Sequence, residues 1–426
     1  MSLPKLHLPQ WLPHLDRQFW ILAVGRLLSR TGTGFTLFYA PIFFVNQVGL
    51  SATLVGIAIG SSEISGIIAR FLGGSFSDSS FLGRRGTLLL SSIISAFASV
   101  VMAMAYNFWT VVIGNLLLGL GTGLYWPATE AVVADLTVAK ERKEAYAITR
   151  LADNIGLQVG IIIGGIFVNF TGAYRALFII DAISFLAFCG VVYFAIEESY
   201  KPQGMESKTD NKKNQNGWLL ALSDRTLIIF MVANIIFTLY ISQIYSTIPL
   251  YLNNFVPGNF SPVIISALFA GHTALTVIFQ LPVARAFKNF SHPKALTISA
   301  IFWGIGFVVI GMTGMVKTGN ILFATLALSI LAIAIISYTP SASALVADLA
   351  PESLRGIYLA INSQCWAIGY LIGPPLGGWA LDQTEFVVNN FWLGMAISVV
   401  FTIVILQYLD RQMINRNLST DENKRV

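Results

Sequence analysis

The sequence predicts an all-α membrane protein in which twelve transmembrane helices form two pseudo-symmetric six-helix bundles. Three observations predict this fold class: an apolar composition, uncharged segments of membrane-spanning length along the whole chain, and an internal repeat. Of the 426 residues, 55% are hydrophobic and only 11% are charged, and the mean hydropathy is +0.70. Soluble globular domains do not reach this balance, so the composition places the chain among membrane proteins.

Apolar segments of about 20 residues or more can cross the hydrocarbon core of a bilayer as helices. Open strands are excluded, because they would leave backbone polar groups unpaired in lipid. We predict spans at residues 19–45, 51–77, 86–106, 108–136, 145–170, 174–197, 224–252, 261–284, 295–316, 319–349, 356–381 and 386–409. The predicted organisation is a cytoplasmic N-terminal segment (1–18), a first six-helix bundle (19–197), a cytoplasmic linker (198–223), a second six-helix bundle (224–409) and a cytoplasmic C-terminal tail (410–426).

Basic residues are unevenly divided between the two sides of the predicted protein. Alternate connections contain most of them, including Arg84, Arg85 and Lys294, whereas the connections on the other side contain only Arg175 and Lys317. Because cytoplasmic connections are enriched in Lys and Arg, we predict a multi-pass protein of the plasma (inner) membrane with both termini cytoplasmic. The isoelectric point near 9.1 thus reflects topology, and we expect no nucleic-acid partner.

An internal repeat relates the two halves, because residues 125–165 align without a gap on residues 338–378. The identical positions include an acidic and a basic residue seven apart in each copy: Asp135 with Arg142, and Asp348 with Arg355. Spans 4 and 5 therefore correspond to spans 10 and 11 in the same membrane orientation, which predicts parallel halves. We expect each acid and base to form a gating pair between cytoplasmic helix ends, with ordinary helix capping as the alternative.

The connection between spans 2 and 3, residues 73–85, reads GGSFSDSSFLGRR. It resembles the cytoplasmic signature of the major facilitator superfamily, with two extra residues in its second half. The resemblance implies a gate that locks the two halves in one state, formed here by Gly74, Asp78, Gly83, Arg84 and Arg85. The alternative is that the two arginines only anchor this connection on the positive side of the membrane.

Spans 5 and 11 contain glycines at helical spacing. They are Gly156, Gly160, Gly164 and Gly165 in span 5, and Gly369, Gly373, Gly377 and Gly378, together with Pro374, in span 11. Glycines one turn apart let helices touch backbone to backbone, and proline allows a bend. The span 11 sequence resembles the antiporter-associated motif of the same superfamily. The resemblance covers nearly the whole chain and looks closest to the twelve-span drug:proton antiporter branch.

Ionised side chains at the centre of a span cost roughly 2.5 to 3.5 kcal/mol each, so each needs a partner or water. The first half contains most of them. We expect a pair between Arg30 and Glu63 near the midplane, and a cluster of Glu130, Arg150 and Asp153 on its cytoplasmic side. Glu63 is the first candidate for a proton carrier, followed by Asp153 and Glu130. The alternative is static pairs that fix helix register.

The second half offers mainly neutral polar and aromatic side chains for a substrate pathway. The candidates are Asn234, Thr238, Tyr245, His272, Tyr338 and Trp366, with Arg26 and Trp126 from the first half. A cavity with aromatic faces and few fixed charges suits amphipathic or weakly polar molecules, although each aromatic residue is alternatively a lipid-facing or core residue. Asp181, in a span that lies away from the central cavity of the resembled fold, is expected to be structural.

The resemblance implies a secondary active transporter that works by alternating access, and we expect a proton-coupled exporter of small amphipathic compounds. The alternatives are a proton-coupled importer or facilitator of sugars, organic anions or peptides, and a transporter-like sensor or assembly factor. We expect a monomer with a small-molecule substrate, protons and the lipid bilayer as partners, and without cofactor, metal or enzymatic activity. No Gly-x-x-x-x-Gly-Lys-Ser loop occurs, so ATP is not the predicted energy source.

Overall fold

The computed structural model describes residues 15–138, 141–199, 219–287, 290–351 and 354–423, which contain thirteen helices of eight or more residues and no strand. The first half contains α1 (Arg17–Asn46), α2 (Ala52–Ser77), α3 (Gly83–Ala103), α4 (Phe108–Asp135), α5 (Arg142–Thr171) and α6 (Tyr174–Ala195). The second half contains α7 (Arg225–Tyr245), α8 (Thr247–Asn254), α9 (Pro262–Ala286), α10 (His292–Met315), α11 (Asn320–Leu349), α12 (Arg355–Leu381) and α13 (Glu385–Asn423). The predicted all-α class is confirmed. Residues 1–14 of the predicted N-terminal segment and 200–218 of the predicted linker lie outside the described residues.

Two helices depart from the predicted spans for local reasons. The seventh span, predicted at 224–252, is a single crossing made of α7 and α8. The helix breaks at Ser246 because Pro249 has no N–H with which to bond the carbonyl of Tyr245. The last span was predicted to end at residue 409, but α13 continues to Asn423. Its polar extension contains no proline or glycine to end it.

Ten helical segments in the described chain are long and apolar enough to cross a membrane, with α7 and α8 counted as one segment. The long helices α1 and α12 are the remaining two of the twelve predicted spans. Both have the required length, but α1 contains Arg26 and Arg30, and α12 contains Asn362 and several glycines. These residues lower the hydropathy of the two helices. Spanning by α1 and α12 therefore stays a prediction that follows from their position in the repeat.

Helix packing repeats between the halves. In the first half α1 packs on α5 and α6, α2 on α4, and α3 on α4 and α6. In the second half the same scheme recurs, with α7 on α12 and α13, α9 on α11, and α10 on α11 and α13. The halves meet through α2 against α12 and α5 against α9, which are equivalent pairs under the same correspondence. This packing is the pseudo-symmetric arrangement of two parallel bundles that the internal repeat predicts.

Apolar packing differs between the halves. One continuous cluster of buried hydrophobic residues extends from α7 to α13 and also includes first-half residues such as Phe38, Tyr39 and Ile161. The first half has two smaller clusters, one around Phe19 and Val192 and another around Phe44 and Met102. Buried charged and hydroxyl side chains lie between these two clusters along α1, α3 and α6. The first half therefore carries a polar layer in its middle.

Candidate functional site

A buried ion pair joins α1 to α5. Arg26 is fully buried. Its Nε donates to Asp153 Oδ1 at 3.1 Å, and its Nη2 donates to Oδ2 at 2.5 Å. Its Nη1 donates to Thr129 Oγ1 on α4 at 3.2 Å. Two parallel bonds between a guanidinium and a carboxylate fix both side chains, so this pair ties three helices together.

This pairing corrects the predicted cluster of Glu130, Arg150 and Asp153. Asp153 bonds Arg26 instead, while Arg150 is exposed although it lies only three residues away. Glu130 is half-buried, and its backbone carbonyl accepts a hydrogen bond from Tyr146. The sequence could not reveal the pairing because it depends on α1 packing against α5. Arg26, predicted to line the pathway, lies inside the bundle.

Glu63 pairs with Arg70 on its own helix, with 3.3 Å between Oε2 and Nη2. Seven residues bring both side chains to one face of α2. The two side chains are 22% and 29% exposed respectively, so the pair is reachable by solvent. Tyr370 on α12 lies close enough to Glu63 for an electrostatic interaction. The pair therefore lies on the face of the first half that is turned towards the second.

The predicted pair between Arg30 and Glu63 is not formed. Arg30 lies over the ring of Trp126, 5.6 Å from its centroid, and its Nε is buried without a hydrogen-bond partner. α1 packs mainly on α5 and α6, and this keeps Arg30 away from the carboxylate on α2. Trp126 is half-buried and also lies near Arg26.

The predicted gating residues of the first half gather where α2, α3, α4 and α6 end on one side. Arg84 contacts Asp135 and lies 3.8 Å from Asp78. Arg85 donates to the carbonyl of Tyr193 at 2.6 Å. Gly83 adopts a φ of +63° at the start of α3, a conformation that favours glycine. These contacts are all within the first half.

The acids of the two predicted gating pairs contact other residues in the described part of the chain. Asp135 pairs with Arg84, whereas Arg142 is exposed. Asp348 pairs with His292 on α10 at 3.0 Å, and the side chain of Arg355 lies outside the described residues. A side chain added at Gly74 would meet nothing within 4 Å, so Gly74 is not required for close packing here. Asp135 therefore pairs with a neighbour in space and not with its predicted partner, whereas the predicted pair of Asp348 and Arg355 stays a prediction.

The predicted packing glycines lie at contacts between helices. Gly160 of α5 faces α1, where an added Cβ would be 3.0 Å from the Cα of Gly34. Gly156 and Gly164 also face α1, while Gly165 approaches Ser266 of α9. In α12, Gly369, Gly373 and Gly377 face α7 and α8, and Pro374 and Gly378 face α2. Glycine therefore allows close contacts both inside each half and between the halves.

The predicted pathway residues of the second half divide into two groups. Asn234 and Thr238 are fully buried: Asn234 bonds Asn362 and Tyr338, and Thr238 bonds the carbonyl of Cys365. His272 is also buried and bonds the carbonyl of Leu328. The second group, Tyr245 and Trp366, is half-buried. Tyr370, also half-buried, is not among the predicted residues. It lies one turn after Trp366, and the two rings stack with their centroids 6.3 Å apart.

The two halves are bonded to each other at one end, where α2 begins and α12 ends. Asp382 accepts the backbone N–H groups of Ala52 and Thr53 at 2.8 and 2.7 Å. Asn46 bonds Asn253 and Asn254 at the same end. We call it the outer end, following the predicted topology. These hydrogen bonds between the halves lie together at this end.

Comparison with known proteins gives consistent matches along the chain. The family model described as Major Facilitator Superfamily matches residues 22–259 and 252–424. A Na(+), Li(+), K(+)/H(+) antiporter of Planococcus maritimus is 25% identical over 406 residues, covering 88% of this chain and 93% of that protein. The multidrug resistance protein MdtH of Yersinia enterocolitica is 23% identical over 395 residues, covering 91% of this chain and 93% of that protein.

Solved structures share the fold at low sequence identity. The nucleoside transporter NupG has a TM-score of 0.77 and 13% identity, covering 92% of this chain and 100% of that chain. A peptide transporter POT in complex with sulfate has a TM-score of 0.75 and 14% identity, covering 95% of this chain and 96% of that chain.

Proposed function

This chain belongs to the major facilitator superfamily of membrane transporters, and from that premise we propose that it is a proton-coupled exporter of small amphipathic compounds. The observation that carries the proposal is the pair of Glu63 and Arg70. It is a partly exposed acid and base on the face of the first half that is turned towards α12. A carboxylate in this position can take up a proton, lose its attraction to the arginine and so make the relative position of the halves depend on protonation.

Alternating access is supported by where the halves touch. They are bonded at the outer end through Asp382 and the asparagine contacts of Asn46. The arginine contacts of the predicted cytoplasmic side stay within the first half. We infer a state that is closed to the outside, in which Glu63 exchanges protons with the cytoplasmic side. A proton gradient then supplies about 2.3 kcal/mol per charge per 100 mV for the return to the opposite state.

Aromatic residues supply the proposed substrate surface. Tyr245, Trp366 and Tyr370 are half-buried on the second half, and Trp126 is half-buried on the first. Stacked rings bind flat or apolar groups without needing a fixed charge. The similarity to MdtH, which is named as a multidrug resistance protein, supports the same class of substrate.

A second candidate function is antiport of monovalent cations against protons. The relative from Planococcus maritimus, named as a Na(+), Li(+), K(+)/H(+) antiporter, favours it. In this candidate Glu63 binds the proton and the cation in alternation, and the aromatic surface has no direct role.

Transport by the full chain in inside-out vesicles separates the candidates. Respiration acidifies the vesicle interior, and a fluorescent weak base reports the pH difference. We expect ethidium to accumulate in vesicles that contain the protein, and a protonophore to abolish the accumulation. Recovery of the fluorescence on addition of Na⁺ or K⁺, without ethidium uptake, would instead establish cation antiport. Uptake of sugars, organic anions or peptides by right-side-out vesicles would establish the importer alternative.

A further inference from the structure

Asp181 is a carboxyl group that the proposed transport cycle does not use. It lies in α6, is fully buried, and faces α1 and α3. Its Oδ2 accepts hydrogen bonds from Thr36 Oγ1 at 3.0 Å and from Ser99 Oγ at 2.8 Å. Its Oδ1 is buried and has no hydrogen-bond partner. One oxygen of this carboxyl is therefore held in place and the other is free.

Asp181 lacks a partner that would neutralise it. The ion pairs of the described chain do not include it. The charged group that acts on the carboxyl from α1 is Arg30, and the hydroxyl donors to it are Thr36 of α1 and Ser99 of α3. The hydroxyl of Ser184 on α6 donates instead to the backbone carbonyl of Asp181. An ionised carboxylate buried without a paired cation costs several kcal/mol, and two hydroxyl donors offset only part of this cost. A proton on the carboxyl removes the charge, and Oδ1 is available to carry it.

Glycine brings α1 close to the free oxygen. An added Cβ at Gly32 would lie 2.7 Å from Asp181 Oδ1. Any side chain at this position would collide with the carboxyl, so the contact between α1 and α6 requires glycine.

A small cavity lies about one helical turn from the residues that bond Asp181, and most of the residues that line it carry a hydroxyl group. Its volume is about 20 Å³, enough for one water molecule. Ser29, Thr33 and Ser95 line it together with Arg30. Thr33 precedes Thr36 by about one turn of α1, and Ser95 precedes Ser99 by about one turn of α3. On both helices, hydroxyl groups therefore lead from the cavity to the two side chains that bond Asp181.

We propose that Asp181 is a second proton-binding carboxyl, which exchanges its proton through the hydroxyl-lined cavity with the polar region around Arg30. On release the proton leaves the carboxyl and reaches a water in the cavity by way of the hydroxyl groups between them, and the carboxylate stays bonded to Thr36 and Ser99. On uptake the steps reverse. Glu63 and Asp181 are then two separate proton sites in the first half. Glu63 lies on the face turned towards α12, and Asp181 lies in the interior.

Infrared spectroscopy of the purified full chain in lipid nanodiscs tests this site without any substrate. A protonated carboxyl has a C=O stretching band that an ionised carboxylate lacks. At neutral pH we expect a band that is present in the wild type and in Glu63→Gln but absent in Asp181→Asn. Transfer to D2O should shift this band, because the proton exchanges through the cavity. The proposal is wrong if Asp181→Asn removes no such band, or if the band does not respond to D2O.

A second pair of variants keeps Asp181 in place, in case Asp181→Asn does not fold. Ser99→Ala removes a hydroxyl that bonds the carboxyl and should shift the frequency of the band. Thr87→Val is the matched control, because Thr87 is buried on the same helix and donates to the carbonyl of Gly83. Equal spectra of Ser99→Ala and the wild type would overturn the proposal. Failure of the vesicle transport assay would leave these spectra unaffected, so the two proposals fail separately.

Discussion

Asp382, which ends α12, accepts the backbone N–H of Thr53 at the start of α2, so one half of the protein caps a helix of the other. The carboxylate also accepts the N–H of Ala52 and the hydroxyl of Thr53. The first N–H groups of a helix have no partner within the helix, and the positive end of the helix dipole attracts an anion. The outer end is thus held closed by a charge-assisted contact that needs no basic side chain.

Asp382→Asn should weaken this closure. Each hydrogen bond to a charged group contributes about 1.5 to 3 kcal/mol. Losing the charge should therefore lower the ratio of closed to open states by about tenfold or more. Spin labels at Thr171→Cys and Lys317→Cys, both exposed in the two halves, would report a longer and broader distance distribution by pulsed electron resonance. Gln383→Ala is the control, because the side chain of Gln383, next to Asp382, donates to the carbonyl of Trp379 in its own half. Identical distributions for Asp382→Asn and the wild type would contradict the role of the contact.

Glu63→Gln should abolish uptake of ethidium driven by a pH gradient in inside-out vesicles. The amide cannot take up a proton, so the halves lose their response to the gradient. Exchange of labelled for unlabelled ethidium without a gradient should persist, because it needs no proton. Glu144→Gln is the control, since Glu144 is exposed in the first turn of α5. If Glu63→Gln retains full gradient-driven uptake, coupling resides elsewhere.

Arg26→Met should destabilise the protein by about 3 to 5 kcal/mol, because it leaves the Asp153 carboxylate buried and unpaired. The double variant Arg26→Met/Asp153→Leu should recover most of this loss, since it removes both charges. Unfolding followed in detergent gives the coupling free energy of the pair. A double variant no more stable than Arg26→Met would show that the two side chains do not act as a pair.

The pair of Glu63 and Arg70 should contribute far less to stability. Both side chains are partly exposed, and solvent-exposed ion pairs contribute about 0 to 1 kcal/mol. Arg70→Met should therefore lower stability by about 1 kcal/mol or less in the same unfolding measurement while reducing proton-driven uptake in vesicles. A loss of stability as large as that of Arg26→Met would show that the pair is structural.

Gly160→Ala should destabilise the protein by about 1 to 3 kcal/mol, because the methyl group would be forced against the backbone of α1. Gly190→Ala is the matched control within a helix, since an added Cβ there meets nothing within 4 Å. The control should be neutral or stabilising, because alanine favours helix more than glycine does. Thermal unfolding of the purified variants compares the two, and equal stabilities would contradict the close contact of α1 and α5.

Arg84→Ala should slow ethidium export, whereas Arg142→Ala should not. Arg84 contacts Asp78 and Asp135 and lies near the carbonyl of Ala131, but Arg142 is exposed. A change of 1 to 2 kcal/mol in the balance of conformations corresponds to about 5- to 30-fold. Initial rates of uptake in vesicles measure the effect at equal protein amounts. The same rate for both variants would reassign Arg84 to a membrane anchor.

Helix positions could be predicted because each depends on its own stretch of sequence. Hydropathy placed α2 within a residue of its ends, and the internal repeat predicted the parallel halves that the packing of α1 on α5 and of α7 on α12 displays. Pro249 marks the break between α7 and α8 in the sequence, because proline lacks the N–H that would continue the helix. The length of α13 does not follow from hydropathy, because its last residues are polar and still helical.

Ion-pair partners could not be predicted in the same way. Asp153 and Arg26 are 127 positions apart and meet only because α1 packs on α5. Glu63 and Arg70 lie on one face of one helix, so their spacing in the sequence is sufficient to predict that they pair. Arg30 is the predicted partner of Glu63 because both residues lie at a similar depth in the membrane, but their helices do not pack so as to bring the two side chains together. The depth of a residue in the membrane follows from the sequence of its own span. Which side chains it contacts depends on how several helices pack together.

The unequal interiors of the two halves have a mechanical consequence. A close-packed apolar interior is barely compressible and transmits displacement as a unit. The helices α7 to α13 share one continuous core, so we expect them to move together in the proposed cycle. The first half is divided by a layer in which hydroxyl groups and charges meet. Polar partners in such a layer can be exchanged without opening an apolar void. In the proposed rocking we therefore expect the first half to shear along this layer, while the helices of the second half keep their packing.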